Sequence, residues 1–206
     1  MKIIAIAGSS GSGKSTLALS LQKECQSLHK HCEIVCEDRY YHPLTPEQHA
    51  NVSEVDFDHP DALDNPLMTM QVKHLLEDKA IEIPNYSYAT HRRTSDTSIL
   101  APPDLLILEG LHLLHRESLI PHYNAMIFVD TPIEVCLERR IYRDINERGR
   151  TKDSVISQFN KTVRPNFKKY IYPSRDNADF VIDGRVAIEE TVEALKITPL
   201  FQLLSE

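Results

Sequence analysis

Residues Gly8-Ser9-Ser10-Gly11-Ser12-Gly13-Lys14-Ser15 constrain the fold of this chain more than any other stretch. They follow the apolar, β-branched run Lys2-Ile3-Ile4-Ala5-Ile6-Ala7 and precede a helical pattern that starts at Thr16. The spacing is G-x-x-x-x-G-K-[ST], set between strand and helix as a phosphate-binding loop requires. Glycines let the backbone wrap a polyphosphate, and the helix N-terminus aims N–H groups and the positive end of its dipole at it. Lys14 then reaches the outer phosphates and Ser15 offers a hydroxyl to Mg²⁺, with Gly8 to Thr16 as the cradle. The competing reading, an ordinary Gly/Ser turn before a helix, does not account for Gly13-Lys14-Ser15 falling in register with both flanking elements.

A strand feeding such a loop needs a sheet to sit in, and the chain is long enough to supply one. Its 206 residues, 41% hydrophobic and 26% charged, fit one α/β domain spanning 1–206. No apolar run approaches the ~20 residues of a membrane span. The first strand runs straight into the loop, so it is expected to be part of the fold and not a cleaved leader, with the cytoplasm as the expected location. The net charge of −7 argues against nucleic acid as a partner, because such binding rests on a basic face. Cys25, Cys32, Cys36 and Cys136 show neither C-x-x-C nor zinc spacing and read as reduced, packed thiols.

Ala18, Leu21, Cys25 and Leu28 recur at helical spacing, predicting a helix to about Lys30. Glu33 to Cys36 reads as a strand that delivers Glu37-Asp38-Arg39-Tyr40-Tyr41 at its C-terminal end, where open α/β sheets place ligands. From His42 to Asn65 lies a long segment without strong periodicity, broken by Pro43, Pro46 and Pro60, whose aromatic and charged content favours a functional loop. A helix is expected to about Lys79, then a hairpin over about 81–100 standing off the core with its tip at Thr90-His91-Arg92-Arg93. Leu105 to Leu108 and Met126 to Val129 are buried strands ending in Glu109 and Asp130. Pro132 opens a helix to about Arg148 as a first-turn proline. A further helix from Asp153 to about Lys161 and a terminal strand and helix complete the pattern. Strands alternating with helices imply a mostly parallel, doubly wound sheet flanked by helices.

Three groups carry chemistry. Asp38, at a strand end facing the loop, can take a proton from an attacking hydroxyl or help hold Mg²⁺; it can equally cap the next turn. Glu109 ends an apolar strand where a second carboxylate would complete the metal shell. Along the helix after Pro132, 100° per residue places Cys136, Leu137, Ile141 and Ile145 on one apolar arc with Arg140 inside it and Arg143 at its edge. A guanidinium on the inward face needs an anion: phosphate is the first reading, an internal carboxylate the second. Arg148-Gly149-Arg150 then reads as a basic turn of a lid over about 140–160.

Asp56-Phe57-Asp58-His59-Pro60-Asp61-Ala62-Leu63-Asp64 closely resembles the "NFDHPDAFD" signature of the uridine kinase (uridine–cytidine kinase) family. Phe128-Val129-Asp130-Thr131-Pro132 and the run Arg139-Arg140-Ile141-Tyr142-Arg143-Asp144-Ile145-Asn146-Glu147-Arg148-Gly149-Arg150 are similar to its lid helix, and Gln158, Thr162-Val163-Arg164-Pro165 and Ala178-Asp179 continue the match, to about residue 183. The resemblance implies a P-loop kinase fold and transfer of the γ-phosphoryl of ATP or GTP to the 5′-hydroxyl of uridine or cytidine. It assigns Asp38 as base, with Lys14 and Arg143 at the donor phosphates and Ser15, Asp38 and Glu109 around Mg²⁺. It puts Asp58 and Arg140 on the ribose hydroxyls, Arg150 and Gln158 closing the nucleoside pocket, Tyr86 and His91 on the pyrimidine edge, and Phe57 and Tyr88 as walls. It also implies a homotetramer.

The chain departs from the family pattern in having Asp56 for Asn, Leu63 for Phe, Arg39 after the base, Ser87 beside the hairpin aromatics, and Asp183-Gly184-Arg185 where a basic, glycine-rich ending is usual. Two other readings remain open at this point. A P-loop kinase for pantothenate or a sugar phosphate would keep the loop without needing Tyr86 and His91. A regulatory nucleotide switch would need no acceptor pocket, although the N-K-x-D guanine-reading motif is missing.

Overall fold

A computed structural model describes residues 1–205. β1 (Lys2–Gly8) owes its central place to an unbroken apolar run: Ile3, Ile4, Ala5, Ile6 and Ala7 are fully buried. Such a strand needs cover on both faces, and alternation divides it, with Ile3, Ala5 and Ala7 in one core and Ile4 and Ile6 in the other. Gly13 opens α1 (Lys14–Ser27) with φ of 104°, a left-handed value that glycine adopts without strain. The helix stops earlier than its periodicity predicts because His29 turns left-handed (φ 60°) and the Lys30 N–H bonds back to the Cys25 carbonyl.

β2 (Cys32–Cys36) runs into a 3₁₀ turn over Glu37–Tyr40. The segment after it is irregular, as expected, apart from the short α2 (Pro46–Ala50), whose start Thr45 and Gln48 cap reciprocally. α3 (Asn65–Leu76) follows, capped by Asp64, and then β3 (Ile81–Ser87) and β4 (Arg92–Leu100) pair antiparallel. β5 (Leu105–Gly110) is buried throughout, and β6 (Ala125–Asp130) leads to α4 (Ile133–Arg148). Pro132 precedes that helix as its N-cap instead of occupying its first turn. From α5 (Lys152–Gln158) the chain stays helical through a π turn, the short α6 (Arg164–Asn166), a second π turn and a 3₁₀ turn to Asn177. β7 (Phe180–Asp183), α7 (Ile188–Lys196) and α8 (Pro199–Ser205) follow.

The main sheet is parallel, in the order β2-β5-β1-β6-β7. α1, α7 and α8 contribute Leu17, Leu195, Leu200 and Leu204 to one face, while Met68, Val72 and Leu75 of α3 cover the other. This is the expected α/β architecture, with the protruding hairpin. The hairpin stands off less than its sequence implies: Ile81, Ile83 and Leu100 at its base join the core, and only the far end projects.

The α4 face also differs from its apolar pattern. Ile145 is 41% exposed, and the fully inward positions are Cys136, Arg140 and Asp144. These repeat at i, i+4, so the helix presents a charged stripe toward the C-terminal edge of the sheet. Its close approach there is paid for by glycine, since a Cβ on Gly11 would lie 2.5 Å from the Cys136 carbonyl oxygen.

Candidate active site

The C-terminal ends of β1, β2 and β5 lie side by side, in register as Ile6, Glu109 and Cys36. Asp38 and Glu109 therefore stand at neighbouring strand ends beside the glycine loop. Lys14 Nζ is 4.0 Å from Glu109 Oε2, and that oxygen is buried without a hydrogen-bond partner. Ser15, Asp38 and Glu109 open into one cavity of about 290 Å³. Among the described residues no cluster of three or more His, Cys, Asp or Glu could enclose a metal ion. A hydroxyl, a few carboxylates and an orphaned oxygen nevertheless suit Mg²⁺, which keeps waters and phosphate oxygens in its shell.

All the predicted acceptor-side residues line this cavity: Phe57 and Asp58 from the long loop, Tyr86, Tyr88 and His91 from the hairpin, and Arg140, Arg150 and Gln158 from the helical side, with Arg143, expected at the donor phosphates, beside them. A second cavity, of about 490 Å³, is lined by Gly11, Ser12, Gly13 and Thr16 on one side and Gly184 and Val186 on the other. Lys14, Ser15 and Arg143 border both cavities, and Ser10 borders the first. Gly8 and Ser9 line neither; they shape the turn, where a Cβ on Gly8 would meet Ser12 Oγ and the Val129 carbonyl, both at 2.7 Å.

The walls of the first cavity are aromatic. Phe57 and His91 stack at 5.2 Å, and Tyr86 meets Tyr88 edge-on at 5.4 Å. Tyr41, which sequence reasoning did not single out, touches both Phe57 and Tyr86. Its position three residues after Asp38 was the available signal. Tyr88 also contacts the predicted base, donating its hydroxyl to Asp38 Oδ2 at 2.9 Å, while Arg148 lies 4.1 Å over its ring. An irregularity between Pro84 and Tyr86, where β4 carries the extra residues, re-aims Tyr86 toward the cavity. Arg93 fixes the hairpin by donating to Asp64 and to the Tyr40 carbonyl. Arg39 turns away from the cavity to Asn85.

Arg140 is buried, and the second reading of its partner holds: it lies 4.0 Å from Asp58 and 3.6 Å from Asp144, and it donates to Gln158. Asp144 is the residue sequence reasoning missed. Fully buried, it also pairs with Arg143 at 2.8 Å, Arg150 at 3.4 Å and Arg148 at 3.7 Å. Gln158 Oε1 accepts from both Arg140 and Arg150. Burial pushes the Asp58 carboxyl up from its ordinary range, with Arg140 opposing the shift. Burial and the nearby Arg150 and Arg148 lower His91, so it is neutral at pH 7.

The sequence matches the Phosphoribulokinase / Uridine kinase family over residues 3–191. The chain belongs to that family. Among its relatives are the uridine kinase of Cronobacter sakazakii, 41% identical over 97% of this chain and 96% of the relative, and that of Tolumonas auensis, 42% identical over 91% and 90%. In three dimensions this family member resembles phosphoribulokinase from Rhodobacter spheroides, with a TM-score of 0.63 at 15% identity over 90% of this chain and 72% of the other. That likeness bears on the fold alone. Uridine kinase family membership makes the protein a phosphotransferase, and no helix among its described residues is long and apolar enough to cross a membrane.

Proposed function

We propose that this protein is a pyrimidine ribonucleoside kinase, moving the γ-phosphoryl of ATP or GTP to the 5′-hydroxyl of uridine or cytidine. The observation that carries the reading is the meeting of two cavities at Lys14, Ser15 and Arg143, with Asp38 on the aromatic-walled side. A transfer between two bound molecules needs such a junction, and a nucleotide switch does not. The donor triphosphate lies along the glycine loop, and the nucleoside occupies the aromatic cavity.

In this reading Asp58 and Arg140 hold the ribose hydroxyls, Arg150 and Gln158 close over the sugar, and Tyr86 and neutral His91 meet the pyrimidine edge. Phe57 and Tyr88 flank the ring. Asp38 accepts the proton of the 5′-hydroxyl as its oxygen bonds to the γ-phosphorus and the bond to the bridging oxygen breaks, leaving the nucleoside diphosphate. Lys14 and Arg143 face the charge that spreads over the transferring group. Mg²⁺, held by Ser15 with Asp38 and Glu109, supplies charge neutralisation at the phosphates when bound.

Incubation with Mg·ATP or Mg·GTP against a panel of nucleosides, pantothenate and sugar phosphates tests this directly. UMP and CMP are the expected products; phosphorylation of another acceptor, or nucleotide hydrolysis alone, overturns the proposal.

A further inference from the structure

The acceptor loop that carries Phe57 and Asp58 has few regular hydrogen bonds of its own, yet Asp58 is 3% exposed and aimed into the cavity. What holds it lies behind it. Asn166 donates to both carboxylate oxygens of Asp56, and Asp56 accepts the Asp58 N–H. His59 Nδ1 accepts the Asp61 N–H, and its Nε2 faces the Tyr170 hydroxyl at 3.1 Å. Directly under Asp58 sits His112, 1% exposed, with Nε2 at 3.0 Å from the Asp58 carbonyl oxygen.

Chemistry fixes the protons in this contact. A carbonyl oxygen only accepts, so His112 Nε2 carries hydrogen and, in the neutral ring, Nδ1 is an acceptor. His115 Nε2, 2.8 Å away, is then the donor to it. The ring is also pinned through its own backbone. The N–H groups of Leu111 and His112 donate to Glu37 Oε2 at 2.8 and 2.9 Å, and Glu37 is held by buried Arg116. Glu37 directly follows β2, and Leu111 directly follows β5. The Glu37–Arg116 pair, His112 and the Asp58 carbonyl thus form one buried chain from the strand ends to the acceptor loop.

We propose that His112 is a positioning residue for the acceptor: through its hydrogen bond to the Asp58 backbone it sets the loop that presents Asp58 and Phe57 to the nucleoside. The inference rests on the reading of Asp58 as a ribose anchor. It assigns to His112 an effect on acceptor binding and none on donor binding, since its ring touches neither cavity.

The test compares His112→Leu, which fills a similar volume without a donor, with His112→Gln, whose carboxamide nitrogen can reach the same carbonyl. Leu114→Ala, a fully buried truncation in the same turn, serves as the control for destabilisation alone. For His112→Leu the uridine KM is expected to rise about tenfold, the scale of one hydrogen bond of ~1.4 kcal/mol, with the ATP KM and kcat within twofold of wild type. His112→Gln returns the uridine KM to within threefold of wild type, and Leu114→Ala lowers the melting temperature with little change in it. An unchanged uridine KM in His112→Leu, parallel rises in both KM values, or failure of the glutamine to rescue overturns the proposal. Amide hydrogen exchange of the 55–60 segment provides a readout independent of substrate identity. It should quicken in His112→Leu and recover in His112→Gln, and equal exchange in all three proteins defeats the coupling. Were wild type to phosphorylate no nucleoside, the functional reading would fail while the exchange measurement still decided the role of His112.

Discussion

Tyr88 donates its hydroxyl hydrogen to Asp38 Oδ2 at 2.9 Å, linking the end of the hairpin to the carboxylate at the end of β2. The bond occupies one oxygen of the proposed base and leaves Oδ1 for the acceptor hydroxyl. Tyr88 is therefore more than a wall. Because the residue is 37% exposed, the bond falls at the low end for hydrogen bonds to charged groups. Tyr88→Phe, which keeps the ring under Arg148, should lower kcat about tenfold, or ~1.4 kcal/mol, and leave the ATP KM in place. Steady-state kinetics with each substrate varied in turn checks this.

Asp144 gathers Arg140, Arg143, Arg148 and Arg150 around one buried carboxylate. Removing its charge leaves cations packed together without their common partner. Asp144→Asn should cost about 3 kcal/mol, the low end for breaking a buried pair, which corresponds to a melting temperature lower by roughly 6–12 °C. Activity should fall with it, since Arg140 and Arg143 lose their orientation. Calorimetry beside an activity assay at a temperature where the variant is folded separates the two effects.

His91 is lowered by burial first and then by Arg150, Arg148 and His49, so in the proposed reading it meets the acceptor as a neutral ring. The uridine KM should stay flat from pH 8 to about 6.5, the ordinary histidine value, and rise only below it. His91→Ala should raise the uridine KM across the whole range and leave the ATP KM unchanged. An inflection in the wild-type uridine KM at or above pH 6.5 contradicts this assignment.

Buried His112 offers a stability readout. Burial is the main cause that lowers it to about 4, with the facing His115 and Arg116 adding to the shift and Glu37 opposing it. A base whose folded pKa is depressed contributes stability that is present above its unfolded value and lost as pH falls toward the folded one. Glu37 acts in a lower window: burial works against its charge, but Arg116, His112 and two backbone amides hold it below the ordinary carboxylate range. Between pH 6.5 and 4 the wild type should therefore lose up to roughly 3 kcal/mol more than His112→Leu. Thermal melts of both proteins across that range measure the difference.

The glycine loop, the parallel strands and the inward turn of Arg140 are legible in the sequence because each depends on neighbours within a turn or a strand. The partners of these residues are not local. Tyr88 and Asp38 lie 50 residues apart, and His112 and the Asp58 carbonyl 54. The motif resemblance supplied Asp58, Tyr86 and His91, but Asp144 sat inside a quoted motif without a role because one aspartate on a helix of mixed acids and arginines reads as part of a solvated face. Ile145 misled for the complementary reason: α4 faces a polar site, so its inward stripe follows charge pairing and not hydrophobicity. α8 was not read from the sequence; its buried Leu200 and Leu204, four apart, pack on the same face of the sheet as α1 and α7.

The most direct test of the account is the rate of UMP formation from uridine and Mg·ATP by Asp38→Asn beside wild type, with melting temperature and uridine affinity measured on the same samples. The variant should fold and bind uridine as wild type does while its turnover falls about 10²–10⁴-fold, the contribution of a positioned general base. Turnover within tenfold of wild type would contradict this.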